Sequence, residues 1–151
     1  MKESLHSCIL RYALYAAFVI GVIMTATLPL MLDTYARIIG SGALAQGYRA
    51  FILPFLMIVA VPCLWIVLEM IGMMRTIPED PFIMRNVRAL NRIGFIFFLL
   101  AAAFFVKCLF FLSFLTLVCT FFFIGSGLFS FTLAALFRQS VVYREENDLT
   151  I

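Results

Sequence analysis

Histidine occurs once in this chain, at position 6, and that scarcity closes several chemistries at the outset. One histidine near a terminus supplies neither a bis-histidine haem nor the two histidines of an HExxH zinc site, and no Ser-His-Asp constellation can be built around it. Cysteine adds little. Cys8, Cys63, Cys108 and Cys119 show no CxxC spacing, so zinc, iron–sulfur and thioredoxin-like readings fall away and the thiols read as small apolar fillers. A Cys108–Cys119 disulfide is disfavoured because one of the two belongs inside a helix. There is no phosphate-binding glycine loop and no pair of carboxylates within an apolar run. The chain therefore reads as a non-enzyme, with no catalytic residue, no cofactor and no metal site expected.

Charge is the second deficiency. Charged residues make up 13% of the chain and apolar residues 65%, against about 25% and 45–50% in a soluble domain. The mean hydropathy is +1.12. A soluble fold of 151 residues cannot hide that much apolar surface, because roughly a third of the unfolded chain's surface stays exposed at this size. The expected class is an all-α membrane protein with the lipid bilayer as its solvent. The net charge of +3 is small, and the arginines flank apolar runs rather than gathering into a basic module, so direct nucleic-acid binding is not expected.

What the chain has in place of charge is long apolar runs. Lys2, His6 and Arg11 precede Tyr12–Leu32, a run just long enough to cross a hydrocarbon core of about 30 Å. It exceeds the ~7–15 residues of a signal-peptide core and no A-x-A site follows it, so it is expected to stay as a first transmembrane helix, 12–32. Asp33–Arg49, with Gly40, Gly42 and Gly47, reads as a loop holding one short helical turn around Tyr35–Ile39. The second helix is expected over 50–74, kinked by Pro54 and Pro62. Residues 93–137 carry a single charge, Lys107, and are too long for one crossing, so they divide into helices at 93–109 and 115–137, with a tight turn near Phe110–Phe114 and Lys107 reaching for the outer surface. The domain expectation is one four-helix unit, 1–151, arranged as two hairpins.

Between the hairpins lies the one long polar interruption, Arg75–Arg92, with four of the eleven basic and two of the eight acidic residues. Asp80-Pro81 is a helix-start signal. From Phe82 onward the spacing predicts a cytosolic amphipathic segment, with Arg85, Arg88 and Arg92 on one face and Ile83, Val87, Leu90 and Gly94 on the other. Its basic face suits lipid phosphates or an acidic protein. Lys2, Arg11, Arg75, Arg85, Arg88, Arg92, Arg138 and Arg144 fall on one side of the expected membrane, and Arg37, Arg49 and Lys107 on the other. Eight against three places both termini and the polar segment in the cytoplasm.

Two stripes of small residues, Ala13, Ala17, Gly21 and Thr25 in the first helix and Ser126, Ser130 and Ala134 in the fourth, predict a close seam between those two helices. Glu69 is the one acid inside an apolar run. Its depth nominates Arg11 or Arg138 as its ion-pair partner.

The stretch Asp80-Pro-Phe followed by Asn86-Val-Arg-Ala-Leu-Asn-Arg-Ile-Gly94, with the terminal Arg144-Glu-Glu-Asn-Asp-Leu-Thr-Ile151, resembles the bacterial membrane-protein family of unknown function numbered twenty-nine seventy-five. The resemblance spans essentially the whole chain, although its motifs lie in the polar segment and the tail. The chain departs from the family pattern at Ile83, where a small polar capping residue is usual, at Ser140 for a small residue and at Tyr143 for an aliphatic one. The first departure leaves Asp80 as the candidate cap. The resemblance implies a small four-helix inner-membrane protein, often encoded beside a small helix-turn-helix regulator, with no catalytic residues to carry over.

The functional expectation is a non-enzymatic regulator or binding subunit. Its cytosolic loop (Arg85, Arg88, Arg92) and tail (Glu145, Glu146, Asp148) dock a cytosolic partner, a helix-turn-helix transcription regulator being the kind implied. The alternative is a small proton-coupled transporter using Glu69 as its titrating carboxylate. Whether a homo-oligomer forms is left open.

Overall fold

The computed structural model describes residues 5–39, 43–76 and 81–148, with side chains at 5–7, 33, 35–39, 43–49 and 148 left aside. The described residues form four helices and no strand: α1 (Leu5–Ile39), α2 (Ala43–Thr76), α3 (Met84–Phe110) and α4 (Phe114–Asp148). Each contains a stretch long and apolar enough to cross a membrane: Cys8–Leu32, Ala50–Thr76, Met84–Phe110 and Phe114–Asn147.

The helices are longer than the apolar runs that announce them. Leaving the hydrocarbon removes the need for apolar side chains but does not end a helix; only a cap or a breaker does. Accordingly α1 and α2 both run into the polar interval 33–49, which is helical up to Ile39 and again from Ala43 where a loop with one turn was expected. Pro29 lies within α1, and Pro54 and Pro62 within α2, with helix continuing on both sides of each. At the far end α4 continues past Phe137 to Asp148, so the expected tail is a helical extension. The third helix begins at Met84, not at Ile93, and takes the amphipathic segment into itself.

Packing is sequential. Among the described residues α1 contacts α2, α2 contacts α3 and α3 contacts α4, with no α1–α4 contact, so the predicted seam between the first and fourth helices does not exist. The small residues serve the nearest neighbours in sequence. A Cβ on Gly21 would come within 2.9 Å of Leu64 in α2, while Ser130 donates to the Leu90 carbonyl of α3 at 2.8 Å. The α3 and α4 backbones approach closely at Gly127, where a Cβ would lie 2.9 Å from the Phe98 ring and 3.3 Å from the Gly94 carbonyl oxygen. Small residues permit this approach, but which helix they meet is decided by the connection. The turn at 111–113 is too short to let α4 pack anywhere except on α3.

The core lies along α3, which has α2 on one flank and α4 on the other. Leu100, Val87, Ala89, Leu90 and Ile93 of α3 are buried with Val59 and Ile66 of α2 and Ala134 of α4. Phenylalanine rings fill the gaps. Phe104 meets Phe55 edge-on at 5.3 Å and Phe123 at 5.2 Å, tying three helices through one side chain. At the α3–α4 turn the Lys107 Nζ donates to Thr116 at 3.3 Å and stands 5.4 Å from the Phe55 ring centroid. An ammonium so placed keeps both a polar partner and an aromatic face. Cys63, Cys108 and Cys119 form no disulfide among the described residues.

Candidate functional site

Polar groups collect at the end of the array where α2 gives way to α3. Asn86, one of the most deeply buried side chains at 1% exposure, organises them. Its Nδ2 donates to the Pro81 carbonyl at 2.9 Å, and its Oδ1 accepts from the Thr76 hydroxyl at 2.8 Å. One side chain thus binds the last residue of α2 to the approach to α3. The α3 N-cap is Ile83 in an extended conformation without a side-chain bond. Asp80, the expected cap, lies outside the described residues, and Pro81 precedes the helix instead of opening it. The Ile83 carbonyl accepts from the Asn86 and Val87 amides at 3.0 and 3.4 Å. With an apolar residue at the cap, Asn86 supplies from inside the helix the polar link that a capping side chain would otherwise make.

That link also sets the register between the two helices. Two antiparallel helices packed side by side from a pinned connection stay level with each other, so Glu69, about two turns before Thr76, meets Arg92, a similar rise beyond Asn86. The Arg92 Nη1 donates to Glu69 Oε1 at 2.9 Å, with side-chain exposures of 59% and 15%. The Trp65 indole N–H donates to the same oxygen at 3.4 Å. Neither Arg11 nor Arg138 takes the role expected of it: Arg138 lies along α4, which does not pack on α2. A third polar tie joins α1, where Arg75 donates to the Tyr15 hydroxyl at 2.7 Å.

On the other side of α3, its first turns and the α4 extension enclose an open cleft of about 690 Å³. Its floor is apolar, with Val87 and Phe131, and its rim is polar, with Asn91, Arg138, Tyr143 and Glu146. Phe82 packs edge-on against Phe137 at 5.2 Å beside it.

The sequence-predicted site residues are therefore divided rather than united. Glu145 and Glu146 stand exposed on the α4 extension, which Asp148 ends, and Glu146 borders the cleft. Arg85, Arg88 and Arg92 are exposed on α3, and Arg92 borders a separate groove toward α2. Asn86 is the residue that sequence reasoning misses, although a signal is present: it falls on the stripe of Leu90 and Ile93, where a polar residue has to find a buried partner. Among the described residues no three histidine, cysteine or acidic side chains gather as metal ligands. The arrangement offers recognition surfaces, one cleft and one groove, with an ion pair between helices.

No curated protein and no solved structure matches the chain. A family model described as a protein of unknown function, DUF2975, matches residues 10–151. With four membrane-spanning helices and a match over nearly its whole length, the chain belongs to the DUF2975 family.

Proposed function

We propose that this protein is a non-enzymatic subunit of the bacterial inner membrane that docks a soluble cytosolic partner at the α3–α4 cleft and the α4 extension. In this reading the helices form two hairpins joined by a cytosolic amphipathic segment, with both termini cytoplasmic. The arginine bias of eight to three supports that orientation, since short cytoplasmic loops collect Lys and Arg. The observation that carries the reading is the continuation of α4 to Asp148 beside an open cleft of about 690 Å³. A rigid helix with Glu145 and Glu146 exposed, next to an apolar floor with a polar rim, has the make-up of a protein-binding surface. A small helix-turn-helix regulator, basic enough to bind DNA, complements its acidic end, and membrane and DNA would then compete for it.

Recovery of the tagged, full-length protein from native membranes tests this. The partner should co-purify with the wild type and be lost when residues 145–151 are deleted or Ala135 is replaced by tryptophan to fill the cleft, while insertion is unchanged. Undiminished recovery in both variants would sink the idea.

Proton-coupled transport through Glu69 has less in its favour. Glu69 is held by Arg92 and Trp65, an interhelical tie that accounts for a carboxylate in an apolar helix without a transport role.

A further inference from the structure

We propose that the groove between α2 and α3, together with the arginines that continue it, is a site for one anionic glycerophospholipid of the leaflet on the Arg85 side. The groove has a volume of about 530 Å³, and its walls are almost wholly apolar: Val61 and Trp65 from α2, Phe95 and Leu99 from α3. None of the described residues covers it, and Phe95 and Leu99 are 66% and 48% exposed. Arg92 lies at one end.

The sequence of α3 extends the groove in a definite direction. Leu99, Phe95, Arg92, Arg88 and Arg85 succeed one another at three- or four-residue spacing and so form one stripe. The stripe is apolar for its first half and cationic for its second. Leu99 to Arg92 spans about 10 Å of helix and Arg92 to Arg85 about 10 Å more. An acyl chain joined to a phosphate has the same order of properties. Glu69 offsets the charge of Arg92, whereas Arg85 and Arg88 are exposed and have no carboxylate partner among the described residues. The far end of the groove therefore carries a surplus of positive charge, which selects an anionic headgroup over a zwitterionic one. A second copy of the chain fits poorly, because a symmetric contact here would place two basic stripes together. The groove shares Asn91 with the cleft beside α4 but is otherwise lined by different residues, and its test does not depend on the proposed partner.

Native mass spectrometry of the full-length protein in detergent, with palmitoyl-oleoyl phosphatidylglycerol or phosphatidylcholine added at equal concentration, reads the site directly. One phosphatidylglycerol should be retained in clear preference to phosphatidylcholine. Arg85→Gln and Arg88→Gln should each reduce that preference about fivefold, and Val61→Trp, at an exposed position, should displace both lipids by filling the groove. Arg92 is kept in these variants because it holds Glu69. Soluble glycerol 3-phosphate should not compete, since it lacks the acyl chain. Equal retention of the two lipids would reduce the groove to ordinary boundary lipid and overturn the proposal, as would an unchanged preference in both Arg85→Gln and Arg88→Gln or unchanged retention in Val61→Trp.

Discussion

Replacing Asn86 by alanine removes a side chain that is 1% exposed and closes the α2–α3 connection through two hydrogen bonds. The two bonds are not equal. The Thr76 hydroxyl has one proton and two acceptors within reach, Asn86 Oδ1 at 2.8 Å and the Met73 carbonyl at 2.9 Å, so in the variant it donates to Met73 and loses little. Among the described residues the Pro81 carbonyl has no second donor, and losing the Asn86 amide costs about 1 kcal/mol, with a further 1–2 kcal/mol for the space left in a closely packed site. The expected loss is about 2–3 kcal/mol, or about 5–10 °C in midpoint for a chain of this size. Trp65 is the sole tryptophan and shares the Glu69 carboxylate with Arg92 of α3, so its emission reports unfolding in dodecyl maltoside titrated with dodecyl sulfate. Thr76→Val should cost about 1 kcal/mol or less, and the two changes together should be less than additive, because they share one bond. An Asn86→Ala protein within about 0.5 kcal/mol of the wild type would refute the view that this side chain joins the two helices.

Glycine substitutions separate the α3–α4 crossing from open surface: Gly127→Ala, whose Cβ would press on Phe98 and the Gly94 carbonyl, should lower stability by about 1–3 kcal/mol in the same titration, while Gly125→Ala, with nothing within 4 Å, should leave it unchanged or slightly raised. Gly21→Leu should weaken the protein through α1–α2 packing against Leu64, and the loss should shrink in a Leu64→Ala background; an undiminished loss would place the contact elsewhere. Glu69→Gln should cost about 1 kcal/mol or less, since Arg92 is 59% exposed and keeps access to water or headgroups, and should shift Trp65 emission; abolished proton-coupled substrate uptake in reconstituted vesicles, with stability retained, would revive the transporter reading. In a cysteine-free background, Arg88→Cys should react with an impermeant maleimide only after cells are opened and Gly42→Cys in intact cells; the reverse pattern would invert the orientation.

The four crossings were legible because their signal is a length: about twenty residues of helix span hydrocarbon, the first two apolar runs have that length, and residues 93–137 have about twice it. The buried face of α3 was legible for a different reason, since Val87, Leu90 and Gly94 alternate with Arg85, Arg88 and Arg92 at the helical period and are buried as the pattern implies. Helix ends were not legible. A polar interval such as 33–49 marks where lipid stops, and without a breaker or cap the backbone keeps its hydrogen-bond ladder into water. The third helix was expected from Ile93, with Asp80-Pro81 starting a separate amphipathic segment; the two are one helix that begins at Met84 behind an Ile83 cap, with Asn86 making the polar contact from within.

The misassigned partners share one cause. In water an apolar stripe identifies the face that seeks a neighbour, but in lipid every apolar face is already satisfied, so stripes in α1 and α4 state how close an approach can be and not to which helix. Depth alone likewise left Arg11 and Arg138 as candidates for Glu69, because several bases share one level of the membrane. What decides both cases is connectivity. The three-residue turn at 111–113 commits α4 to α3, and the Thr76–Asn86 contact commits α2 and α3 to a register in which Glu69 and Arg92 are level. The exposed side of α3 is then determined by subtraction. With α2 and α4 occupying two flanks, the remaining stripe runs from Leu99 to Arg85, and its change from apolar to cationic is where a bilayer's own chemistry changes from acyl chain to phosphate.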